Sequence, residues 1–216
     1  YNEAQDAKKI AKHLGTDHTE LYCSSKTALE VIPKLPTMYD EPFSDSSQIP
    51  TFILSQLAKQ HVKVALSGDG GDELFCGYNR YNSGYRLFKK ISKLPTRLRY
   101  NISNILNKIP TQLVNDFFSK KNGFLKYSDP GNKFEKISKI MQENADFSYY
   151  KNLVSINSNP SEFLLSGKEP KTILSNSDTW PKTESFQELM MLMDMETYLQ
   201  DDILVKIDRG SMFSSL

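Results

Sequence analysis

Apolar positions follow two rhythms in the first third of the chain. In residues 4–14, Ala4, Ala7, Ile10, Ala11 and Leu14 recur at helical spacing, and Gly15 supplies the stop. Residues 18–23 alternate and predict a strand. Residues 27–35, between Ser24-Ser25 and Pro36, predict a short helix, and residues 51–60 predict another that Ser46 or Ser47 can cap. Residues 62–66, Val62-Lys63-Val64-Ala65-Leu66, are a short, β-branched, mostly apolar run that reads as a buried strand. A glycine-rich turn follows at once, and Leu74-Phe75 starts a helical stretch. Strands alternating with helices belong to a parallel sheet. A turn leading from a strand into a helix lies at the carboxyl edge of such a sheet, where open α/β sheets bind ligands.

The pattern then becomes wholly helical. Residues 81–107 are basic and aromatic, with Arg86, Lys89, Lys90, Lys93, Arg97 and Arg99, and Pro95 and Pro110 divide this region into helices. Residues 134–141 and 147–156 are further helices. Turns are predicted at 128–132, 157–160 and 175–178. Residues 184–200 are strongly helical, with Phe186, Leu189, Met190, Met193 and Tyr198 available to pack and the methionines as adaptable filler. Asp201-Asp202 can cap a last helix ending at Met212. The fold class is α/β and helix-dominated: a partial nucleotide-binding α/β region over 1–85, then a helical remainder of the same domain over 86–216.

Charge narrows the field. Lys and Arg number 27 against 26 Asp and Glu, a net +1, so no bulk electrostatic argument favours nucleic acid or an anionic membrane. RNA binding through Arg86 to Arg99 stands as an alternative to a solvated cationic helix face. No apolar run reaches the length of a membrane span. The two cysteines, Cys23 and Cys76, fit free thiols in a reducing cytosol. His13, His18 and His61 are isolated and show no metal-ligand spacing.

The turn after residue 66 holds the candidate chemistry. Ser67-Gly68-Asp69-Gly70-Gly71-Asp72-Glu73 sets three carboxylates among three glycines. Glycines bring backbone N–H groups close to an anion, but carboxylates repel phosphate unless a cation lies between. Mg²⁺ suits this arrangement, since it is commonly held by one or two carboxylates together with substrate phosphates. A solvated acidic turn capping a helix is the alternative. The spacing matches neither a P-loop nor a G-x-G-x-x-G fingerprint.

Three stretches in order carry a resemblance. They are Ser67 to Phe75 followed by Gly77-Tyr78; Tyr39-Asp40-Glu41-Pro42-Phe43 with Ser46-Ser47-Gln48-Ile49-Pro50; and Asp202-Ile203-Leu204-Val205-Lys206-Ile207-Asp208-Arg209-Gly210-Ser211-Met212. Together they resemble the ATP-pyrophosphatase (synthetase) domain of glutamine-hydrolysing asparagine synthetases; residues 85–185 match only in character. The resemblance implies a partial sheet of the adenine-nucleotide alpha-hydrolase-like (PP-loop ATPase) type. It implies ATP and Mg²⁺, adenylation of the aspartate side chain, and amidation by ammonia from an N-terminal glutaminase domain. It places Ser67 and Gly68 on the nucleotide, Asp72 on Mg²⁺, and Asp69 as the catalytic or orienting carboxylate where relatives carry glutamate. Glu73 caps the helix or supports the site. Asp45, Ser46 and Ser47 stand on the substrate side, and Lys206, Asp208 and Arg209 near the nucleotide pocket. Cys76 stands where glycine is usual.

The resemblance further implies a cytoplasmic enzyme and admits a homodimer. The family's Ser-Gly-Gly-x-Asp-Ser loop is not in this sequence and would precede Tyr1. The chain therefore reads as an internal piece, inactive by itself, with an unpaired sheet edge prone to self-association. Alternatives are an amidotransferase or cyclase acting on another carboxylate, and a non-catalytic helical interaction module.

Overall fold

The computed structural model describes residues 4–120, 130–142, 146–155, 163, 165 and 171–216. In chain order its helices are α1 (Ala4–Leu14), α2 (Ser25–Val31), α3 (Leu35–Met38), α4 (Gln48–Lys59), α5 (Gly71–Leu74), α6 (Tyr85–Ser92), α7 (Thr96–Leu106), α8 (Thr111–Lys120), α9 (Pro130–Gln142), α10 (Asp146–Val154), α11 (Phe186–Glu196) and α12 (Val205–Phe213). Wide π-helical turns span Arg80–Gly84 and Leu199–Leu204. The chain divides into two compact units, Tyr1–Asp69 with Leu199–Leu216, and Gly70–Tyr198. The division falls inside the acidic turn.

In the first unit, α12 packs on α4 and α3. Gly210 permits the close approach: a Cβ there would lie 3.4 Å from Thr51 Cγ2. Val31, Met38, Tyr39, Phe52 and Ile53 form the core. Burying one such side chain is worth about 1.5–3 kcal/mol. Ser24 caps α2, its hydroxyl accepting from Thr27 N at 3.1 Å. α1 ends as its pattern predicts, at Gly15 with φ 68°.

The second unit buries Tyr81, Tyr85, Phe88, Ile91, Ile140, Tyr149, Tyr150, Met190 and Met193. Phe88 and Tyr149 stack at 4.4 Å, and Tyr85 meets Phe186 at 5.0 Å. α7 and α9 pack through small buried serines, with Ser103 Oγ donating to Ser138 O at 2.9 Å. Ser185 caps α11, accepting from Glu188 N at 3.2 Å. Met190 and Met193 do serve as core filler.

Several expectations need correction. Helix dominates, but the described residues form no strand, so neither 18–23 nor 62–66 is part of a sheet among them. A strand is completed by ladder partners, and no described segment supplies them to 62–66. Its apolar groups face outward instead: Val64 is 80% and Leu66 99% exposed. The helix expected to start at Leu74-Phe75 runs only over Gly71–Leu74. Gly70, at φ 84°, opens it and Phe75 leaves the helical region at φ −119°. Helix 51–60 starts earlier, at Gln48, with Ser47 at its N-cap position but no side-chain capping bond. Asp201 and Asp202 sit within the second π-turn rather than capping α12. Residues 130–132 open α9 rather than a turn, and 175–178 are taken up partly by 3₁₀ turns, Ile173–Ser175 and Ser177–Thr179. Residues 128–129 and 157–160 lie outside the described residues. Among the described residues no helix is long and apolar enough to cross a membrane.

Candidate functional site

The first unit contains a solvent-open cleft of about 560 Å³, within the usual range for ligand pockets. Lys63 through Asp69 line one side of it, including Ser67, Gly68 and Asp69. Thr51, Leu54, Ser55 and Ala58 of α4, Ile207 and Ser211 of α12, and Leu216 line the rest. A Cβ on Gly68 would meet nothing within 4 Å, so packing within the chain does not demand glycine there. Asp69 is exposed. Lys63 and Ser211 carry no expectation from the sequence, because a lone lysine in a strand-like run and a serine in a helix give no motif.

Beside this cavity the same unit holds a polar clamp. Asp45 Oδ1 accepts from Ser47 N at 2.8 Å and Asp45 Oδ2 from Ser47 Oγ at 2.7 Å. Lys206 reaches both partners, at 2.9 Å from Ser47 Oγ and 3.3 Å from Asp45 Oδ2. Burial raises the Asp45 carboxyl, but the Ser47 hydrogen bonds and the Lys206 charge outweigh it and bring the group below its ordinary value. One turn along α12, Arg209 pairs with Asp40 at 2.7 Å and with Asp208 at 3.5 Å. Tyr39 donates to Lys206 O at 3.4 Å, and burial pushes its phenol up to about 12. Asp45, Ser47 and Lys206 thus meet one another, while Ser46 is exposed.

The acidic turn continues in the second unit. Asp72 and Glu73 are adjacent on α5 and diverge around its axis. Glu73 is 1% exposed and accepts from Tyr78 OH at 2.8 Å. Asp72 is exposed, and its O accepts from Gly77 N at 2.9 Å. Gly77 leaves room for the Asp72 carboxylate: a Cβ there would collide with Asp72 Oδ1, lie 2.9 Å from its Cγ and push the side chain away. Cys76 takes φ 59°, a left-handed geometry that glycine adopts without the cost of about 1–2 kcal/mol borne by other residues.

An exposed carboxylate held against bare backbone fits a hard cation. Among the described residues no three His, Cys, Asp or Glu side chains converge to hold an ion. A cation at Asp72 would therefore draw most of its oxygens from phosphate and water, the habit of Mg²⁺.

Sequence reasoning missed the centre of this unit. The Arg80 guanidinium lies 3.9 Å from the Tyr78 ring centroid and grips Asp194 Oδ2 through Nε at 2.8 Å and Nη2 at 2.7 Å. Tyr81 OH also donates to Oδ2, and Tyr150 OH donates to Oδ1 at 2.7 Å. Burial, then hydrogen bonding to the carboxylates, raises the Tyr78 and Tyr81 phenols far above their ordinary range. For Tyr150 it is burial, then the Asp194 charge. All three stay protonated donors at physiological pH. The available signal was Asp194 itself, a charged residue on the buried Met190–Met193 face of α11, which needs partners.

The family model for asparagine synthase matches residues 1–216, and the chain belongs to that family. Glutamine-hydrolysing asparagine synthetase 1 of Bacillus subtilis (strain 168) is 28% identical over 217 residues, covering 100% of this chain and 32% of that relative. Glutamine-hydrolysing asparagine synthetase 1 of Saccharomyces cerevisiae is 41% identical over 81 residues, 35% of this chain and 14% of the relative. The namesake from Arabidopsis thaliana is 36% identical over 76 residues, 33% of this chain and 13% of the relative. The chain thus spans at most about a third of these relatives. No solved structure gives a significant match.

Proposed function

We propose that this chain supplies the ATP-handling part of a glutamine-dependent asparagine synthetase acting in the cytoplasm, with 1–85 as its nucleotide-binding region, α12 completing the cavity wall and the rest of 86–216 as helical support. The observation that carries the reading is the cavity walled by Ser67, Gly68 and Asp69, directly preceding Asp72 in the chain.

In this reading the aspartate side-chain carboxylate attacks the α-phosphorus of ATP and pyrophosphate leaves. Ammonia from a glutaminase domain then displaces AMP from the β-aspartyl adenylate, giving asparagine. Ser67 and the bare backbone at Gly68 receive the adenosine monophosphate portion, where a Cβ-free residue lets N–H groups approach an anion. Asp69 orients the reacting groups from the cavity wall, and Asp72 holds Mg²⁺. The ion, when bound, offsets the charge developing on pyrophosphate. Lys206, with Asp45 and Ser47, keeps the 40–50 loop against α12, and Asp208 and Arg209 extend that support through Asp40. Ser46, exposed on the same loop, stands on the substrate side.

The test uses the full-length protein with aspartate, glutamine, ATP and Mg²⁺. Equimolar asparagine, AMP and pyrophosphate are expected, and Asp72→Asn should slow AMP release at least tenfold. Phosphate and ADP as products, or an Asp72→Asn variant at the wild-type rate, would overturn the reading.

A further inference from the structure

A four-residue helix such as α5 has no cooperative stability of its own. The direction in which Asp72 points must be fixed from outside, and the second unit shows how. Gly77 N closes back on Asp72 O at 2.9 Å, and Tyr78 OH closes back on Glu73 at 2.8 Å. The Tyr78 ring is in turn covered by the Arg80 guanidinium at 3.9 Å. Arg80 is held by two bonds to Asp194, a residue 1% exposed whose other donors are Tyr81 and Tyr150. Arg80 and Tyr81 are adjacent, yet both reach one carboxylate, at the start of the wide Arg80–Gly84 turn. Such turns recur at functional sites.

We infer that Glu73, Tyr78, Arg80 and Asp194 are positioning residues for the Asp72 carboxylate, linking it to the core through one continuous run of contacts. This inference rests on the metal role of Asp72 proposed above. Glu73 turns inward and anchors α5, so Asp72 is turned outward. Asp194 fixes Arg80, Arg80 fixes the ring plane of Tyr78, and Tyr78 fixes Glu73. Losing a group hydrogen-bonded directly to a metal ligand costs about 10–100-fold in metal affinity or activity, and Tyr78 acts one link further out, through Glu73, which places its effect at the low end.

The experiment compares Tyr78→Phe, Asp194→Asn and Asp72→Asn in the full-length protein. Tyr78→Phe keeps the ring beneath Arg80 and deletes only the bond to Glu73. Three quantities are read: the Mg²⁺ concentration for half-maximal ATP binding, the hydrogen-exchange rate of the Gly77 amide without ligand, and the thermal midpoint. Tyr78→Phe should raise the Mg²⁺ requirement about tenfold and speed Gly77 exchange, while α12 amides exchange as in the wild type. Asp194→Asn should act in the same direction and lower the midpoint as well. A Tyr78→Phe protein with a Mg²⁺ requirement within about twofold of wild type overturns the inference, whatever its Gly77 exchange and midpoint. If Asp72→Asn shifts the Mg²⁺ requirement and Tyr78→Phe does not, only the positioning inference falls. If Asp72→Asn leaves the requirement unchanged, the metal role falls and this inference with it.

Discussion

Replacing Lys206 by methionine tests whether the first unit is clamped as described. The Nζ–Oδ2 separation to Asp45 is 3.3 Å, and the two side chains are 7% and 17% exposed. With an effective dielectric of about 20, Coulomb attraction at that distance is about 5 kcal/mol. Desolvating both ions consumes several kcal/mol each, so the intact pair is worth little against an apolar replacement. Removing one partner is different, because the other charge stays buried. Asp45 keeps its two bonds from Ser47, which places the cost of Lys206→Met at the low end of the usual range, about 3 kcal/mol. Methionine retains most of the stem volume, so a cavity adds little. Asp45→Asn should cost about 2 kcal/mol, and the double variant less than the two costs together, with a coupling of about 2 kcal/mol. Denaturant unfolding of the full-length protein at pH 7, followed for all four members of the cycle, measures this coupling.

The acid limb adds a second check on the same pair. Asp45 sits below its ordinary value in the folded protein, so it binds fewer protons there than in the unfolded chain. Its contribution is complete above the unfolded carboxylate value near about 4 and is lost as pH falls through the lower folded value. The stability gap between wild type and Asp45→Asn should therefore close below about pH 4. Costs that add to within about 0.5 kcal/mol, together with a gap that ignores pH, would refute the clamp.

Two further outcomes follow from the second unit. Tyr149 OH is buried with no hydrogen-bond partner among the described residues, so Tyr149→Phe should stabilise by about 1 kcal/mol and raise the thermal midpoint by roughly 2–4 °C; a loss of that size instead would show that the hydroxyl is satisfied. Gly77→Ala places a methyl where the Asp72 carboxylate lies, so it should raise the Mg²⁺ requirement as Asp72→Asn does while changing stability less than a core truncation; ATP binding at the wild-type Mg²⁺ requirement contradicts the geometry.

Much of the helical layout was legible because periodicity and caps are local. Ala4 to Leu14 shows its apolar stripe and glycine stop in the sequence itself, and α9, α10 and α11 lie where apolar spacing puts them. The conformation of residues 62–66 is not legible in this way, since a strand depends on neighbours that local pattern cannot reveal. The carboxylates of the acidic turn were legible in the sequence, but their geometry was not. Asp72 and Glu73 look alike in sequence, yet one is exposed and the other buried against Tyr78. Nor could spacing show that Lys206 and Asp45, far apart in the chain, meet each other. Asp194 was overlooked because it sits among methionines, where the apolar pattern drew attention away from the one residue that pattern does not explain.

Asp194 and the three residues that donate to it also constrain how this region can change over generations. Losing any one of Arg80, Tyr81 or Tyr150 strands part of an ion in the protein interior, whereas exchanging the whole group for well-packed apolar residues need not be harmful. Intermediate sequences are worse than either endpoint, so these positions should drift together or not at all. A library that randomises them singly will recover almost nothing, and one that varies all four jointly will.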